Sequence, residues 1–180
     1  MEDEEVDIEE RIVRLTGEIN EEVSEKVVKA LHAMCEAEQA PITVAIHSDG
    51  GSLEDGFRII DALNIAKTRG SSIHTIVTGK AYSMAAIILC VGDARTAYTN
   101  ARIMFHSSRF EEGDMPTLTK TELKDMYEEM SFYDGKFNEI LLGIGVPQKT
   151  IDLMLSKDYF IDTIEAIRLG IVQSVEHDFI

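Results

Sequence analysis

The sequence predicts an α/β fold in which helices cover a largely parallel sheet. Short β-branched runs alternate with longer segments whose apolar residues recur every three or four positions, and glycine-containing breaks separate the two patterns. The 180 residues also contain no internal repeat and no low-complexity linker. This predicts one domain with a sizeable core.

In the first half of the chain, β-branched runs predict strands at residues 11–16, 42–47 and 72–77. The first of these strands is expected to end at Gly17. The segments EEVSEKVVKALHAMCEAE and LEDGFRIIDALNIAKTR lie between the strands, and each carries an apolar stripe at helical spacing. The stretch SDGGS is predicted to break the chain before the second helix.

The second half of the chain continues the alternation. The runs RTAYT, RIMFH and IVQSV predict further strands, and the apolar run after Ser83 predicts a buried helix. Two short helices are predicted in PQKTIDLML and TIEAIRLG, the first with Pro147 in its opening turn.

The stretch from Leu118 to Leu142 is longer than any other periodic segment. At the α-helical rise it predicts a helix of roughly 38 Å, more than a small domain needs for its own core. Two arrangements fit the pattern. Either the helix projects from the body and packs on a partner, or it breaks near Gly135 and folds back.

Charge and cysteine usage exclude several classes of partner. The formal net charge is −16, and seven of the first ten residues are acidic. Such a chain is not expected to bind nucleic acid or an anionic membrane, and residues 1–10 are predicted to form a solvated, disordered tail.

Neither a signal peptide nor a membrane span is predicted, so a cytoplasmic location is expected. Cys35 and Cys90 are predicted to be reduced and buried, and no metal site is predicted.

Ser83 lies in TGKAYSMAAIILCVG, where a glycine-containing turn becomes an apolar run. A serine at the start of a helix is by itself most simply a helix cap. The same strand–turn–helix position also suits an exposed nucleophile, because the helix N-terminus favours developing negative charge. A nucleophilic serine additionally needs a base and free main-chain N–H groups.

Two further motifs supply those groups. The glycine pair in HSDGGS offers N–H groups that can point at an anion. His106 ends the apolar strand RIMFH, at the edge where parallel sheets place their ligands. Of the other four histidines, His47 is the rival base; His32 is predicted to be on the surface, His74 packed within a strand, and His177 near a mobile terminus.

Five segments taken in order resemble the signature segments of the Clp-type serine protease family, the ClpP proteolytic subunits. They are LTGEINEEVSEKVVKAL, ITVAIHSDGGSLEDGFRIIDAL, TIVTGKAYSMAAIIL, ARIMFHSS and KDYFIDTIEAIRLGIVQSV. The resemblance runs from about Arg11 to Val175, nearly the whole chain. Each segment alone is weak, but their combination is specific.

The resemblance implies a Ser-His-Asp triad. Ser83 is implied as the nucleophile, His106 as the general base and then acid, and Asp158 as the group that orients the imidazole. Spacing alone does not favour Asp158 over Asp152 or Asp162. The resemblance also implies that the oxyanion is bound by the main-chain N–H groups of Gly51 and Met84. It further implies a strand that pairs with the substrate, formed by Ser107, Ser108, Arg109 and Phe110.

The resemblance further implies an architecture and partners. Residues 11–180 would form one domain of ClpP/crotonase-like repeated β-β-α units, with a protruding handle helix at about 117–142. Subunits would assemble into two stacked heptameric rings around a chamber. Polypeptides are the implied substrates and an AAA+ unfoldase is a further implied partner. No cofactor is expected in this chain, since ATP would act only through that unfoldase.

The chain departs from the family pattern at several points. Asp49 replaces a usual proline, Lys80 and Tyr82 replace smaller or neutral residues, and Ala85 takes a frequent glycine position. After His106 the usual Gln-Pro and glycine-rich strand is replaced by SSRFEEGDMPT. The apolar axial loop of the family has no counterpart in MEDEEVDIEE.

These departures leave alternatives open. One alternative is a processing protease that works without an unfoldase, for example in viral capsid maturation. Another is a catalytically silent ring or scaffold subunit. A crotonase-type enzyme acting on acyl-CoA is a third reading, which the acidic surface does not favour. A Ser-Lys protease that uses Lys80 is a lesser variant.

Overall fold

The structure is a computed structural model that describes residues 6–7, 9–109, 119–178 and 180. In this part of the chain, eight strands and six helices follow one another. The strands are β1 (Val6–Asp7), β2 (Ile12–Ile19), β3 (Ile42–Gly51), β4 (Ile73–Tyr82), β5 (Ala94–Ala97), β6 (Arg102–Phe105), β7 (Tyr159–Asp162) and β8 (Ser174–Val175). The helices are α1 (Glu21–Ala37), α2 (Leu53–Thr68), α3 (Met84–Val91), α4 (Lys120–Gly143), α5 (Gln148–Leu155) and α6 (Thr163–Arg168).

The strands form one mixed sheet with the order β1-β2-β3-β4-β5-β8. Neighbours from β2 to β8 along this path are parallel, and β1 runs antiparallel to β2. On the edge opposite β3, the long strand β4 pairs with β5 along its first half and with β6 along Lys80–Tyr82. Strand β7 adds antiparallel to β6. The predicted α/β fold with a largely parallel sheet is confirmed.

Polar side chains define where four of the helices begin. Asn20, Ser52, Thr119 and Asp162 each accept a hydrogen bond from a main-chain N–H in the first turn of the helix that follows. These groups lack partners inside the helix, so each side chain stabilises its helix by about 1 kcal/mol. Thr119 also forms a reciprocal capping box with Glu122.

Helix α3 lies at the centre of the core. Every residue from Met84 to Cys90 is buried. The α2 helix approaches it closely at Gly56, where a Cβ would lie 2.2 Å from the Met84 side chain. The start of α3 is therefore fixed by close packing against α2 within the core.

Several predicted boundaries are wrong. Strand β2 continues past Gly17 to Ile19, and β3 continues through the glycine pair to Gly51. The stretch SDGG is thus part of a strand and not a break, because irregularities between Gly17 and Glu18 and between Ile46 and Ser48 keep the strands paired. Strand β7 was not predicted, since four residues are too few for an alternating pattern.

The long helix is continuous. Helix α4 passes through Gly135 without interruption, so a break at that residue is wrong. Its C-terminal half reaches the core through Phe137 and Leu141, whereas Leu123 and Tyr127 in its N-terminal half are exposed. The first predicted positions of the handle, residues 117 and 118, lie outside the described residues.

Two predictions about the termini and the thiols need correction. Val6 and Asp7 of the predicted tail pair with β2, while residues 1–5 and 8 lie outside the described part. Cys35 and Cys90 are both free, but Cys35 is only half-buried, because it packs at the edge of the core. Burial raises the pKa of the Cys90 thiol to about 12. No helix among the described residues is long and apolar enough to cross a bilayer.

Candidate active site

Ser83 stands between β4 and α3 in a conformation unusual for serine. Its φ is 54° and its ψ is −126°, and its N–H donates to the Met104 carbonyl oxygen at 2.8 Å. Its side chain makes no capping hydrogen bond to α3, unlike the residues that begin the other capped helices. A positive φ in a non-glycine residue costs about 1–3 kcal/mol and persists only where the surroundings enforce it. Ser83 is thus the residue that precedes α3, but its hydroxyl does not cap the helix in this structure.

The glycine pair of β3 packs directly against the serine turn. A Cβ at Gly50 would lie 2.7 Å from the Tyr82 carbonyl oxygen, 2.8 Å from the Ser83 Cβ and 3.0 Å from the Met84 nitrogen. Gly51 has a φ of 145°, and a Cβ there would lie 2.3 Å from the Ile19 carbonyl oxygen. Both positions thus require glycine, because no side chain fits between these main-chain segments.

Ser83 and His106 line one cleft of about 480 Å³. His106 follows the end of β6, and the β4–β6 pairing of Tyr82 with Met104 brings that end beside the serine turn. The Nδ1 atom of His106 contacts the main-chain carbonyl oxygen of Ser107. Since a carbonyl oxygen only accepts, Nδ1 carries the proton in the neutral ring and Nε2 keeps the lone pair that a base needs.

Asp158 lies next to the histidine but bonds to another residue. The antiparallel register pairs Phe105 with Tyr159, so the next residues outward, His106 and Asp158, face each other at the strand ends. The Asp158 carboxylate accepts from the Arg109 guanidinium at 3.3 Å, and both side chains are about half exposed. Among the described contacts, no hydrogen bond joins Asp158 to the imidazole.

The surroundings of His106 favour its neutral form. Burial lowers the pKa of His106, and the positive charge of Arg109 acts in the same direction. The Ser107 carbonyl and the carboxylates of Asp158 and Asp134 oppose this shift without reversing it. A neutral imidazole beside a serine is the protonation state required for proton abstraction.

A family model described as Clp protease matches residues 5–178. The chain belongs to the Clp protease family.

Two relatives illustrate the distance within that family. The chain is 29% identical over 173 residues to the chloroplastic ATP-dependent Clp protease proteolytic subunit 3 of Arabidopsis thaliana, a match that covers 94% of this chain and 54% of that protein. It is 27% identical over 175 residues to the ATP-dependent Clp protease proteolytic subunit 2 of Bacillus licheniformis, covering 93% of this chain and 87% of that protein. The chain thus spans about half the length of the chloroplast relative.

In this Clp-family chain, the segment after His106 is tied to the long helix. Ser108 is buried, its N–H donates to an Asp134 carboxylate oxygen at 2.6 Å, and its hydroxyl donates to the Met130 carbonyl at 3.0 Å. Ser107 contributes its carbonyl to the imidazole, and Arg109 lines the cleft. Phe110, also predicted to bind substrate, lies outside the described residues.

The unusual residues near the glycine pair contact one another. Lys80 donates to the Asp49 carboxylate at 2.5 Å and lies 5.9 Å from the centre of the Tyr82 ring. Tyr82 in turn packs edge-on against Phe160 at 5.6 Å. Because Asp49 holds the Lys80 ammonium, and Lys80 does not line the cleft in the described part of the chain, the geometry does not favour the Ser-Lys variant.

The sequence did not predict one wall of the cleft. The residues that form it come from the end of β2, the start of α2 and the middle of α4; they are Glu18, Leu53, Glu54, Glu129, Met130, Tyr133 and Phe137. Three of them, Met130, Tyr133 and Phe137, belong to the apolar stripe expected to pack on a partner. The periodic pattern identified the stripe, but it contains no information on which neighbour the stripe faces.

Proposed function

We propose that this chain is a serine endopeptidase that cleaves peptide bonds within a self-assembled ring oligomer. The observation that supports it most is the conformation of Ser83, whose backbone is held at positive φ and whose side chain lines the cleft with His106 instead of capping α3. Membership of the Clp protease family supports the same chemistry.

In the proposed acylation step, the Ser83 Oγ attacks the carbonyl carbon of the scissile bond. Its proton passes to His106 Nε2, which then donates that proton to the departing amine. Water next attacks the acyl-serine ester, gives a proton to His106, and releases the acid product with regeneration of the Ser83 hydroxyl. Every proton is thus returned, and no cofactor takes part.

The proposed oxyanion donors are the N–H groups of Gly51 and Met84. Met84 is the first residue of α3, so its N–H has no acceptor within the helix. The Gly50 N–H already donates to the Ser48 hydroxyl at 3.0 Å, which favours Gly51 as the second donor. Each donor of this kind contributes roughly 10²–10³ in kcat in serine proteases.

Asp158 is proposed to orient the imidazole. This requires the carboxylate to leave Arg109 and accept from Nδ1, which in turn must leave the Ser107 carbonyl. An exposed ion pair contributes only about 0.2–1 kcal/mol, so this exchange is energetically accessible.

The proposed ring assembly uses α4. Its N-terminal half exposes Leu123 and Tyr127, and Phe132 is 59% exposed. Apolar side chains of this size on one helix fit burial against other subunits. Unfolded or ATPase-delivered polypeptides are the proposed substrates, and an AAA+ unfoldase is a proposed partner.

A fluorophosphonate probe tests the nucleophile. We expect the probe to label the wild-type protein covalently and to leave Ser83→Ala unlabelled, with loss of peptide hydrolysis by a factor of about 10³ or more. Analytical ultracentrifugation of both proteins checks that the oligomer is the same.

Equal labelling of the two proteins would reject Ser83 as the nucleophile. An intact oligomer that hydrolyses neither short peptides nor unfolded casein would instead favour a silent ring subunit. The observation that favours this second function is that Asp158 bonds to Arg109 and not to His106.

A further inference from the structure

One wall of the cleft is apolar. We call its aromatic part, formed by Tyr133 and Phe137, the floor of the cleft. Phe57 stacks with Tyr133 at 5.4 Å and with Phe137 at 6.1 Å between ring centres. Leu53 and Met130 line the cleft beside these rings. Such a surface accommodates an aliphatic chain, because stacked rings and flexible side chains present continuous apolar area.

In the described part of the chain, carboxylates line the same cleft and outnumber the cations there. Among the described residues, four acidic side chains line the cleft, and one of them, Asp49, is paired with Lys80. The other three, Glu18, Glu54 and Glu129, have no ion-pair partner among the described residues.

The cation that lines the cleft in the described part of the chain does not compensate them. Arg109 is already paired with Asp158. The cleft therefore carries an excess of negative charge next to the candidate nucleophile.

Two of the unpaired carboxylates act on the same aromatic residue. Burial raises the pKa of Tyr133, and the negative charges of Glu54 and Glu129 raise it further. The two carboxylates come from different helices, α2 and α4, and both act on the ring that forms the floor. A positive charge in the cleft beside Tyr133 would be attracted by both carboxylates.

We propose that the cleft selects polypeptides that carry a lysine or arginine side chain, with its aliphatic stem on the Tyr133 floor and its charged head between Glu54 and Glu129. This preference rests on the proposed endopeptidase function and names its substrate class. Long cationic side chains bury their methylene groups along apolar surface while the charged end stays near polar groups. Each exposed ion pair is weak, so the preference depends on two carboxylates and the apolar lining of the cleft acting together.

Paired peptides test the preference. A series of fluorogenic peptides carries either lysine or its apolar, near-isosteric analogue norleucine at each position around the cleavage site. At the selected position we expect the wild-type oligomer to show a kcat/KM for lysine at least about tenfold above that for norleucine. In the Glu54→Gln/Glu129→Gln variant the ratio should fall to about one.

A matched variant controls for the overall charge of the protein. Asp61→Asn/Glu38→Gln removes the same two charges from exposed positions outside the cleft. It should keep the wild-type ratio. An equal fall in both double variants would overturn the proposal, since it would indicate a general attraction to an acidic protein.

Binding to Ser83→Ala separates this proposal from the proposed function. Fluorescence anisotropy gives the Kd of labelled lysine and norleucine peptides without hydrolysis, and the same preference for lysine is expected. If the probe labels Ser83 and norleucine peptides are cleaved at least as well as lysine peptides at every position, the charge preference is wrong and the protease assignment stands. If nothing is labelled or cleaved but lysine peptides bind more tightly, the site recognises cations and the endopeptidase function is wrong.

Discussion

Ser83 and His106 line the same cleft, but the two sides of that cleft are held in different ways. On the serine side, main-chain segments pack so closely that Gly50 and Gly51 leave no room for a Cβ, and α3 begins inside the core. On the histidine side, β6 has ended, the imidazole contacts the next residue's carbonyl, and Asp158 bonds to Arg109 near the surface.

The proposed chemistry requires a fixed nucleophile and a correctly oriented acid, and the two sides of the cleft meet these requirements in different ways. The position of the nucleophile is set by dense packing within a single subunit, and changing it requires moving main-chain atoms. The orientation of the acid depends on side chains that solvent reaches, where a change of partner costs on the order of 1 kcal/mol or less. Mutations on the two sides should therefore affect stability and activity in different proportions.

The largest expected effect on activity alone comes from Asp158→Asn. An asparagine keeps the shape but no longer stabilises the charged imidazole, so kcat should fall by roughly 10³–10⁴. The melting temperature should change little, because the Asp158 side chain is 48% exposed and its ion pair is weak. Peptide hydrolysis and thermal unfolding measure the two quantities.

Asp152→Asn is the matched control for that change. Asp152 lies on α5, where its carboxylate accepts from Gln148 at 2.9 Å, away from the cleft. Its substitution should leave kcat near the wild-type value. A large loss in Asp152→Asn together with an active Asp158→Asn would show that the acid has been misassigned.

Gly50→Ala should lower activity and stability together. The new methyl group would overlap the Tyr82 carbonyl and the Ser83 Cβ, and a φ of 94° disfavours alanine. Overpacking of this kind costs about 1–3 kcal/mol. The displaced serine turn should lower kcat/KM by about 10²-fold.

Gly135→Ala provides the opposite case. Gly135 is exposed on α4, and a Cβ there meets no atom within 4 Å. Alanine should stabilise the helix by about 0.5–1 kcal/mol without loss of activity. Wild-type activity and an unchanged melting temperature in Gly50→Ala would refute the claim that packing positions the serine.

The smallest expected effect is a shift in the pH dependence of activity. A base acts only when neutral, so activity should rise with pH through a pKa below the ordinary imidazole value of about 6.5. Arg109→Gln removes a positive charge that disfavours the imidazolium, and it frees Asp158 to stabilise that form. Both changes raise the pKa of His106, so the rising limb should move to higher pH.

Lys149→Gln is the matched control, because it removes an exposed positive charge from α5. It should leave the rising part of the pH–activity profile unchanged. The measurement is kcat/KM of one peptide across the pH range at constant ionic strength. A limb that stays fixed in Arg109→Gln would mean that Arg109 does not act on the histidine.

Much of the fold followed from local patterns. The helices around Val27 and Ile60 and the strands around Val44 and Ile76 lie where β-branched runs and apolar stripes predicted them. Boundaries were less predictable. Strand β3 continues through Gly50 because β2 pairs with it there, which compensates for the low strand preference of glycine.

The candidate site was predictable only in part. Motifs identified Ser83 and His106 as candidates, and the structure places both in one cleft. The pairing of Arg109 with Asp158 joins residues 49 positions apart, and no periodic pattern specifies such a contact. The contribution of Glu54 and Glu129 to one wall likewise depends on how α2 and α4 pack.

The sequence by itself determined the alternation of strands and helices, the apolar character of α3 and the segments that match the Clp protease family, because these properties depend on neighbouring residues and main-chain preferences. Only the tertiary structure decided that the Ser83 side chain makes no capping hydrogen bond, that its φ is positive, and that Glu54 and Glu129 line the same cleft as Tyr133. Those features arise from contacts between distant segments, whose relative positions are set by packing of the whole core and not by any local pattern.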